Sequence, residues 1–325
     1  GGTGHGRPSA GGGAVIEFCG IPLVHPIVNG SGTFDAIAAR RAFGDEVLER
    51  FPFAAFVSKT VTVAPRGGNP PPRLWETPAG LINSIGLPNR GLDGYLAHDL
   101  PQLAQLPVPL VVNVMGFTRE EVATLVGAFA GRTEVAALEL NVSCPNVETG
   151  LIMGADPTET ARLLERVRPL TAKPLIVKLT PNTSDVGAVA AAAQSAGADA
   201  VSLVNTLRGM ALHPRGDGTP WLGGRAGGVS GPAIRAVALA QVAEVARRVR
   251  VPIVGMGGIQ SGRHARDLLQ AGATLVAVGT ESFRDPLAGA LIAGELASLA
   301  PLRGSETAAN SHRAVFSGGG SSTSG

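Results

Sequence analysis

The sequence predicts an α/β fold in which eight parallel strands and their helices close into a (β/α)8 TIM barrel. Short apolar runs recur eight times along the chain, and most are followed by an amphipathic segment with helical periodicity. A chain of 325 residues with 44% hydrophobic composition can also bury one barrel-sized core. The alternative architecture is a doubly wound open sheet, for which repeated strand and helix alternation is also expected.

The predicted strands are runs of aliphatic and β-branched residues bounded by turn residues. Near-continuous apolar segments such as Pro174-Leu-Ile-Val-Lys-Leu179 indicate strands buried on both faces of a parallel sheet. The predicted strands cover residues 26–29, 54–59, 110–114, 137–141, 175–179, 200–204, 253–256 and 275–278.

The clearest helices open with Pro, Asp or Ser and end near Gly, as helix capping predicts. They cover residues 119–130, 157–167, 185–196, 232–249, 261–271 and 286–299. Two connections, 60–90 and 205–231, are longer than a simple turn and each follows the carboxyl end of a strand. Such long βα loops are expected to cover the C-terminal face of the barrel, where active sites lie.

The domain organisation follows from composition. Residues 1–13 and 304–325 are Gly/Ser-rich and too poor in apolar residues to fold, so we expect disordered tails around one domain, residues 14–303.

The net charge of +2 favours a small-molecule partner over nucleic acid or anionic lipid. The longest uncharged stretch, 100–118, contains three prolines and is a poor membrane helix, and no signal peptide is recognisable. We therefore expect a cytoplasmic protein.

Polar residues stand at or just beyond the ends of six different predicted strands, where a barrel places its catalytic groups. They are Asn29, Lys59, Asn113, Asn141, Lys178 and Asn205. Lys59 and Lys178 are two of only three lysines, since the other basic residues are arginines. A compact ammonium fits beside a cofactor ring or a carboxylate where a planar guanidinium does not, so these two positions indicate a specific need for lysine.

Glycines follow the last two predicted strands, in Gly255-Met-Gly-Gly-Ile259 and Val278-Gly-Thr280. Loops in these places form the usual phosphate site of such barrels, because glycine lets backbone N–H groups approach an anion. We therefore expect a phosphorylated ligand. No G-x-G-x-x-G follows a strand and opens a helix, so no dinucleotide site is expected on this chain.

The two cysteines differ in setting. Cys144 lies in the strand-end loop Asn141-Val-Ser-Cys-Pro-Asn146 and is a candidate reactive group, whereas Cys19 lies in an apolar segment and is expected to pack structurally. Two cysteines are too few for a four-cysteine zinc or iron-sulfur site, and the six histidines lack metal-ligand spacing. No metal site is expected.

The loop around Cys144 resembles that of the class 1 dihydroorotate dehydrogenases, which carry a cysteine base there, whereas class 2 enzymes carry serine. Further segments that match this family, in order, are Asn29-Gly-Ser-Gly-Thr33, Ser58-Lys-Thr60, Asn83-Ser-Ile-Gly-Leu87, Val177-Lys178, Asn205-Thr206, Gly228-Val-Ser-Gly-Pro232 and Gly255-Met-Gly-Gly-Ile259. Type B is indicated by Asn205-Thr-Leu-Arg-Gly-Met210 and Gly227-Gly-Val-Ser-Gly-Pro-Ala233, whereas Ser84 resembles type A.

The resemblance implies an enzyme of pyrimidine biosynthesis that binds FMN and oxidises (S)-dihydroorotate to orotate. The flavin contacts that it implies are Ser31, Lys59, Thr60, Asn113, Asn141, Lys178, Val204, Gly231, Gly257, Gly258, Gly279 and Thr280. The orotate contacts that it implies are Lys59, Asn83, Ser84, Ile85, Gly86, Leu87, Asn141, Asn205 and Thr206.

The same resemblance implies a mechanism and a partner. Cys144 would remove the C5 proton while hydride passes from C6 to flavin N5, and Lys178 would stabilise negative charge on the reduced ring. Type B enzymes work with a second subunit that holds FAD and a 2Fe-2S cluster and passes electrons to NAD. A homodimer within a heterotetramer is the assembly implied.

Three other enzymes fit parts of the pattern. One is a type A enzyme that reduces fumarate at the same flavin, and another is a flavin barrel acting on a different pyrimidine. The third is a Schiff-base aldolase barrel, since Lys178 stands at a strand end beside a predicted phosphate site. A non-catalytic binding protein is disfavoured, because a structural barrel has no use for so many polar groups at one mouth.

Overall fold

The computed structural model describes residues 15–143 and 154–300. The predicted tails and Cys144 therefore lie outside the described residues. The strands are β1 (Ile16–Phe18), β2 (Ile21–Leu23), β3 (Ile27–Asn29), β4 (Phe56–Val57), β5 (Leu74–Thr77), β6 (Gly80–Asn83), β7 (Leu110–Val114), β8 (Ala137–Asn141), β9 (Leu175–Lys178), β10 (Ala200–Leu203), β11 (Leu207–Gly209), β12 (Gly227–Ser230), β13 (Ile253–Met256) and β14 (Leu275–Val278).

Helices cover the outside of the sheet, and five of them begin with an Asp, Ser or Thr side chain that accepts a hydrogen bond from the first turn. The α-helices are α1 (Ala36–Phe43), α2 (Glu46–Glu49), α3 (Gly91–Gly94), α4 (Leu100–Leu103), α5 (Arg119–Ala130), α6 (Pro157–Val167), α7 (Val186–Ser195), α8 (Arg235–Arg248), α9 (Gly262–Gln270) and α10 (Ala288–Ser298). A π-helical turn (Tyr95–Asp99) joins α3 to α4, and 3-10 turns lie at Arg168–Leu170, Pro232–Ile234 and Thr280–Phe283.

Eight parallel strands form the predicted barrel, in the order β3-β14-β13-β10-β9-β8-β7-β4. The seam between β3 and β4 is closed by Ala54 N, which donates to Ile27 O at 2.9 Å, and by the buried Asn29 side chain. Asn29 Nδ2 donates to Val57 O, and Asn29 Oδ1 accepts from Val57 N, both at 2.8 Å. The sheet is therefore a barrel and not the alternative open sheet.

Most predicted boundaries agree with the structure to within one or two residues. The predicted strand 54–59 is an exception, since only Phe56–Val57 has strand structure. On the side of β4 that faces β3, the N–H and C=O of Val57 bond to the Asn29 side chain and not to the β3 backbone, which explains why β4 is short. The predicted helix 232–249 begins instead with a 3-10 turn, and its α-helical part starts at Arg235.

An N-terminal hairpin that sequence reasoning missed seals the amino-terminal end of the barrel. Strands β1 and β2 pair antiparallel, and Phe18 and Leu23 are buried in one apolar cluster with the lower barrel layer. That layer includes Val111, Ile176 and Val254. Because this end is filled by packed side chains, ligands reach the barrel from the opposite end.

The two long loops, 60–90 and 205–231, pair with each other to form an antiparallel lid sheet in the order β11-β12-β6-β5. Strand β6 comes from the first loop and pairs with β12 from the second, with Val229 opposite Ile82. Gly80 has φ +144°, and a Cβ there would lie 2.0 Å from Ser230 O. The loops are therefore interlocked above the carboxyl ends of the strands, as predicted for their position. Across residues 15–143 and 154–300, no helix combines the length and apolarity needed to cross a bilayer.

Candidate active site

A cavity of about 540 Å³ lies between the carboxyl ends of the barrel strands and the lid sheet. This volume is within the range of small-molecule sites. Most of the residues predicted from sequence line it: Ser31, Lys59, Thr60, Asn83, Ile85, Leu87, Asn141, Lys178, Val204, Asn205, Thr206, Gly231, Gly257, Gly258, Gly279 and Thr280. The barrel thus brings together residues that are up to 249 positions apart in the chain, because parallel strands end at one face.

Three residues predicted from sequence do not line this cavity. The Ser84 hydroxyl accepts a hydrogen bond from Asn69 Nδ2 at 3.0 Å and is covered by Gly224 of the second long loop. Gly86 adopts φ +76° in a turn against Asn69. Asn113 is fully buried within the barrel. Their assignment as ligand contacts, like that of Cys144 as the base, stays a prediction.

The floor of the cavity is a buried polar cluster contributed by β7 to β10. Glu139 Oε1 accepts from Asn113 Nδ2 at 2.6 Å, and Glu139 Oε2 accepts from Ser202 Oγ at 2.8 Å. Lys178 Nζ lies 4.0 Å from Glu139 Oε1, and Lys178 itself lines the cavity. Asn113 Oδ1 is buried and has no hydrogen-bond partner among the residues that the structure describes.

A second polar group surrounds Asn205, just beyond the end of β10. Asn205 Nδ2 donates to Ser143 Oγ at 2.7 Å and to Asn141 Oδ1 at 3.2 Å, while Asn205 Oδ1 accepts from Thr206 N at 2.8 Å. These contacts fix the orientation of amide groups that face the cavity. Amides present both donors and acceptors, which suits a ring that carries alternating carbonyl and N–H groups.

Glycines form one wall of the cavity, after β13 and β14. Gly257 and Gly258 have φ values of +136° and +71°, and added Cβ atoms would lie 2.6 Å from Ala238 Cβ and 2.8 Å from Gly231 O. A Cβ at Gly279 would meet only Thr33 Cγ2, at 3.7 Å, so it would project into open space. This wall therefore presents bare backbone to the cavity, as an anion site requires.

The positive charge near this wall belongs to Arg235. Arg235 Nη1 lies 3.3 Å from Gly258 O, to which it donates, and 3.2 Å from His264 Nδ1. Burial, followed by repulsion from Arg235, lowers the pKa of His264 below its usual value. His264 is therefore neutral at pH 7, and the guanidinium supplies the local charge.

Other cavity residues were missed by sequence reasoning: Gly30, Gly32, Thr33, Leu74, Leu81, Met115, Ser143, Ser230, Ile234, Met256 and Phe283. Several of these missed residues are sequence neighbours of predicted site residues, as Ser143 is of Cys144. Their position at a strand end could therefore have identified them. Leu74 and Leu81 come from the lid sheet, which had no clear sequence pattern. Glu139 was also missed, because it lies inside a strand.

No group of three or more His, Cys, Asp or Glu side chains that could hold a metal ion is found within the part of the chain that the structure describes. The cavity is lined by amides, two ammonium groups, hydroxyls and glycine backbone, together with apolar side chains such as Leu81, Met115 and Phe283. These groups can bind a phosphorylated ring system through hydrogen bonds and charge.

Comparison with known proteins agrees with this geometry. Residues 14–299 match the family model described as dihydroorotate dehydrogenase. The chain is 44% identical over 285 residues to the dihydroorotate dehydrogenase B (NAD(+)), catalytic subunit, of Desulforudis audaxviator, covering 86% of this chain and 90% of that protein. It is 45% identical over 280 residues to the Pelobacter propionicus protein of the same name, with the same coverage. The chain belongs to the dihydroorotate dehydrogenase family.

Proposed function

We propose that this chain is the catalytic subunit of a type B dihydroorotate dehydrogenase, which binds FMN and oxidises (S)-dihydroorotate to orotate in pyrimidine biosynthesis. One observation carries the proposal: a single cavity combines a bare glycine wall with a polar floor and oriented asparagines. Such a lining suits a phosphorylated flavin and a pyrimidine ring, and the relatives at 44% and 45% identity are named as dihydroorotate dehydrogenases.

The residues present fit FMN at both of its ends. Gly257, Gly258 and Gly279 would hold the phosphate, because they line the cavity with backbone that carries no side chain. Lys178 reaches the cavity floor beside Asn113 and would place its ammonium near the flavin pyrimidine ring.

The bound flavin would supply the two-electron acceptor for hydride removed from C6 of the substrate. This chain would supply the base and the binding groups. We assign the base to Cys144, which would take the C5 proton, and the assignment is supported by Ser143, its neighbour, which lines the cavity. A free thiol has a pKa of about 8.5, so proton removal should become faster as pH rises toward that value. Asn205, Asn141 and Lys59 would hold the substrate.

Anaerobic addition of dihydroorotate to the purified protein tests this proposal. The wild-type protein should be yellow and should lose its flavin absorbance, whereas Cys144→Ala should stay yellow and be reduced at least 100-fold more slowly. Cys19→Ala is the matched control and should behave like wild type, because Cys19 lies at the other end of the barrel. A colourless protein, or equal reduction rates in wild type and Cys144→Ala, would contradict the proposal.

We further propose that electrons leave through a partner subunit that carries FAD and a 2Fe-2S cluster and reduces NAD, in a heterotetramer built on a homodimer. The relatives are named as NAD(+) enzymes and as catalytic subunits. Two exposed apolar side chains that line the cavity, Leu74 and Phe283, are also suited to a protein contact. The scarcity of cysteine favours a reducing compartment, which we take to be the cytoplasm.

The second candidate is a type A enzyme that uses fumarate, and Ser84 is the residue that favours it. The two are separated by assaying the purified chain alone with dihydroorotate and fumarate. A type B subunit should show no fumarate-dependent turnover and should need its partner to reduce NAD. Rapid turnover with fumarate by the isolated chain would establish type A.

A further inference from the structure

We propose that Glu139 is a positioning residue, which fixes Lys178 and Asn113 beneath the flavin and balances the lysine charge there. The inference rests on the proposed FMN site, since Glu139 itself lies below the cavity and does not line it. It acts through the two side chains that it holds.

The contacts of Glu139 account for both carboxylate oxygens. Asn113 Nδ2 and Ser202 Oγ donate to different oxygens, at 2.6 and 2.8 Å. The Lys178 ammonium lies 4.0 Å from Oε1, so it forms an ion pair without a hydrogen bond. Each partner comes from a different strand, and β8 lies between two of them. The carboxylate therefore ties four neighbouring strands together at the height of the cavity floor.

The burial of this carboxylate indicates a need for its charge. Glu139 is 3% exposed and Lys178 is 6% exposed, and an isolated charge in such a place is strongly disfavoured. A glutamine would fill the same volume, but it could accept only one of the two hydrogen bonds, because its amide nitrogen is a donor. Glutamine would also lack the negative charge that faces the ammonium. The carboxylate is thus explained by its two donors and by the Lys178 charge, and not by packing.

The orientation of Asn113 gives a second consequence. Because Asn113 Nδ2 donates to Glu139, Asn113 Oδ1 is left without a hydrogen-bond partner among the described residues. The carboxylate accepts hydrogen bonds only, so it fixes which way the buried Asn113 amide is turned beneath the cavity. A glutamine could turn its own N–H₂ toward Asn113 and reverse that choice.

The test compares Glu139→Gln and Glu139→Asp with wild type. Two quantities are measured in the FMN-loaded protein: the flavin midpoint potential, and the dissociation constant of sulfite, which adds to oxidised flavin and leaves a negative charge on the ring. Glu120→Gln is the matched control, since Glu120 forms an exposed ion pair with Arg166 at 2.7 Å. Thermal unfolding is followed for every variant.

We expect Glu139→Gln to bind sulfite about tenfold more tightly, because the Lys178 charge is no longer balanced. The midpoint potential should rise by ~30 mV, which is the same tenfold change for a two-electron couple. Glu139→Asp keeps the charge and should stay within about threefold of wild type for sulfite. Glu120→Gln should match wild type in both quantities.

Unchanged sulfite affinity and potential in a folded, FMN-loaded Glu139→Gln protein would overturn the inference, as would equal shifts in Glu120→Gln. If Glu139→Gln fails to fold, the inference is tested with Glu139→Asp instead. A Glu139→Asp protein that unfolds at the wild-type temperature but has a shifted midpoint potential would overturn the inference. Failure of the proposed function is a separate result, because wild type itself would then bind no FMN or would not be reduced by dihydroorotate.

Discussion

The seam of the barrel offers the sharpest test of how this fold is held together. Replacement of Asn29 by alanine removes the side chain that pairs with both the N–H and the C=O of Val57, each at 2.8 Å. Asn29 is 0% exposed and Val57 is 7% exposed, so water cannot readily replace the lost partners. The substitution therefore leaves a buried backbone donor and a buried backbone acceptor unsatisfied at the closure of the sheet.

Each unsatisfied buried group costs about 1–3 kcal/mol, so the two together should lower the free energy of unfolding by about 2–6 kcal/mol. With a urea m-value near ~3 kcal/mol/M for a domain of this size, the midpoint should fall by about 1 M. The assay is urea unfolding followed by circular dichroism and tryptophan fluorescence, whose transitions must coincide. The exposed amide of Gln102, which donates to His98 O at 2.7 Å, gives the control Gln102→Ala, with an expected change below ~0.5 kcal/mol. A loss of less than ~1 kcal/mol in Asn29→Ala would refute the idea that this amide closes the barrel.

Three further predictions concern the cavity and the sealed end. Gly279→Val should weaken FMN binding at least tenfold, measured by flavin fluorescence, with wild-type unfolding, because its side chain projects into the cavity; unchanged binding would remove Gly279 from the phosphate wall. Asn205→Ala should raise the KM for dihydroorotate about tenfold, or about 1.4 kcal/mol, while FMN stays bound, since Asn141 and Ser143 lose the amide that orients them in the cavity; an unaltered KM would contradict its role. Burial, followed by repulsion from Asp199, raises the pKa of Cys19 to about 11, so iodoacetamide at pH 8 should label Cys19 only after unfolding. Because the neutral thiol is favoured in the fold, its contribution to stability is present below the unfolded pKa and is lost as pH rises through about 11; rapid labelling of native Cys19 at pH 8 would count against this.

The barrel strands were predictable from sequence because each is buried on both faces, which leaves a continuous apolar run. The segment Leu110–Val114 illustrates this, since all five of its residues are buried. The helix α5 was equally clear, from its Thr118 cap and apolar spacing. In both cases local composition and tertiary burial agree, so sequence alone was sufficient.

The missed elements are those in which tertiary pairing overrides local preference. Strands β1 and β2 have three residues each and turn at Cys19 and Gly20, both with positive φ. Strand β12 is Gly-Gly-Val-Ser, a sequence with little strand propensity that pairs because β6 lies beside it. The helical segment from Gly91 to Leu103 contains glycines and a proline that argue locally against a helix.

The site was predictable where residues stand at strand ends and hidden where they stand within strands. Lys178 and Asn141 were found because each closes an apolar run, and register places them side by side. Glu139 lies between Leu138 and Leu140, in a run that resembles ordinary core. Its importance follows only from its contacts with Asn113, Ser202 and Lys178, which belong to other strands.

The interlocked lid has a consequence for anyone who wishes to alter which ring the enzyme accepts. A side chain added at Gly227 would lie 2.3 Å from Asn83 O, and one at Gly223 would lie 2.0 Å from Pro70 O. Randomising either loop alone would therefore yield mostly inactive clones. A productive library would replace loops 60–90 and 205–231 together, with both taken from the same homologous enzyme, because the two loops pack closely against each other.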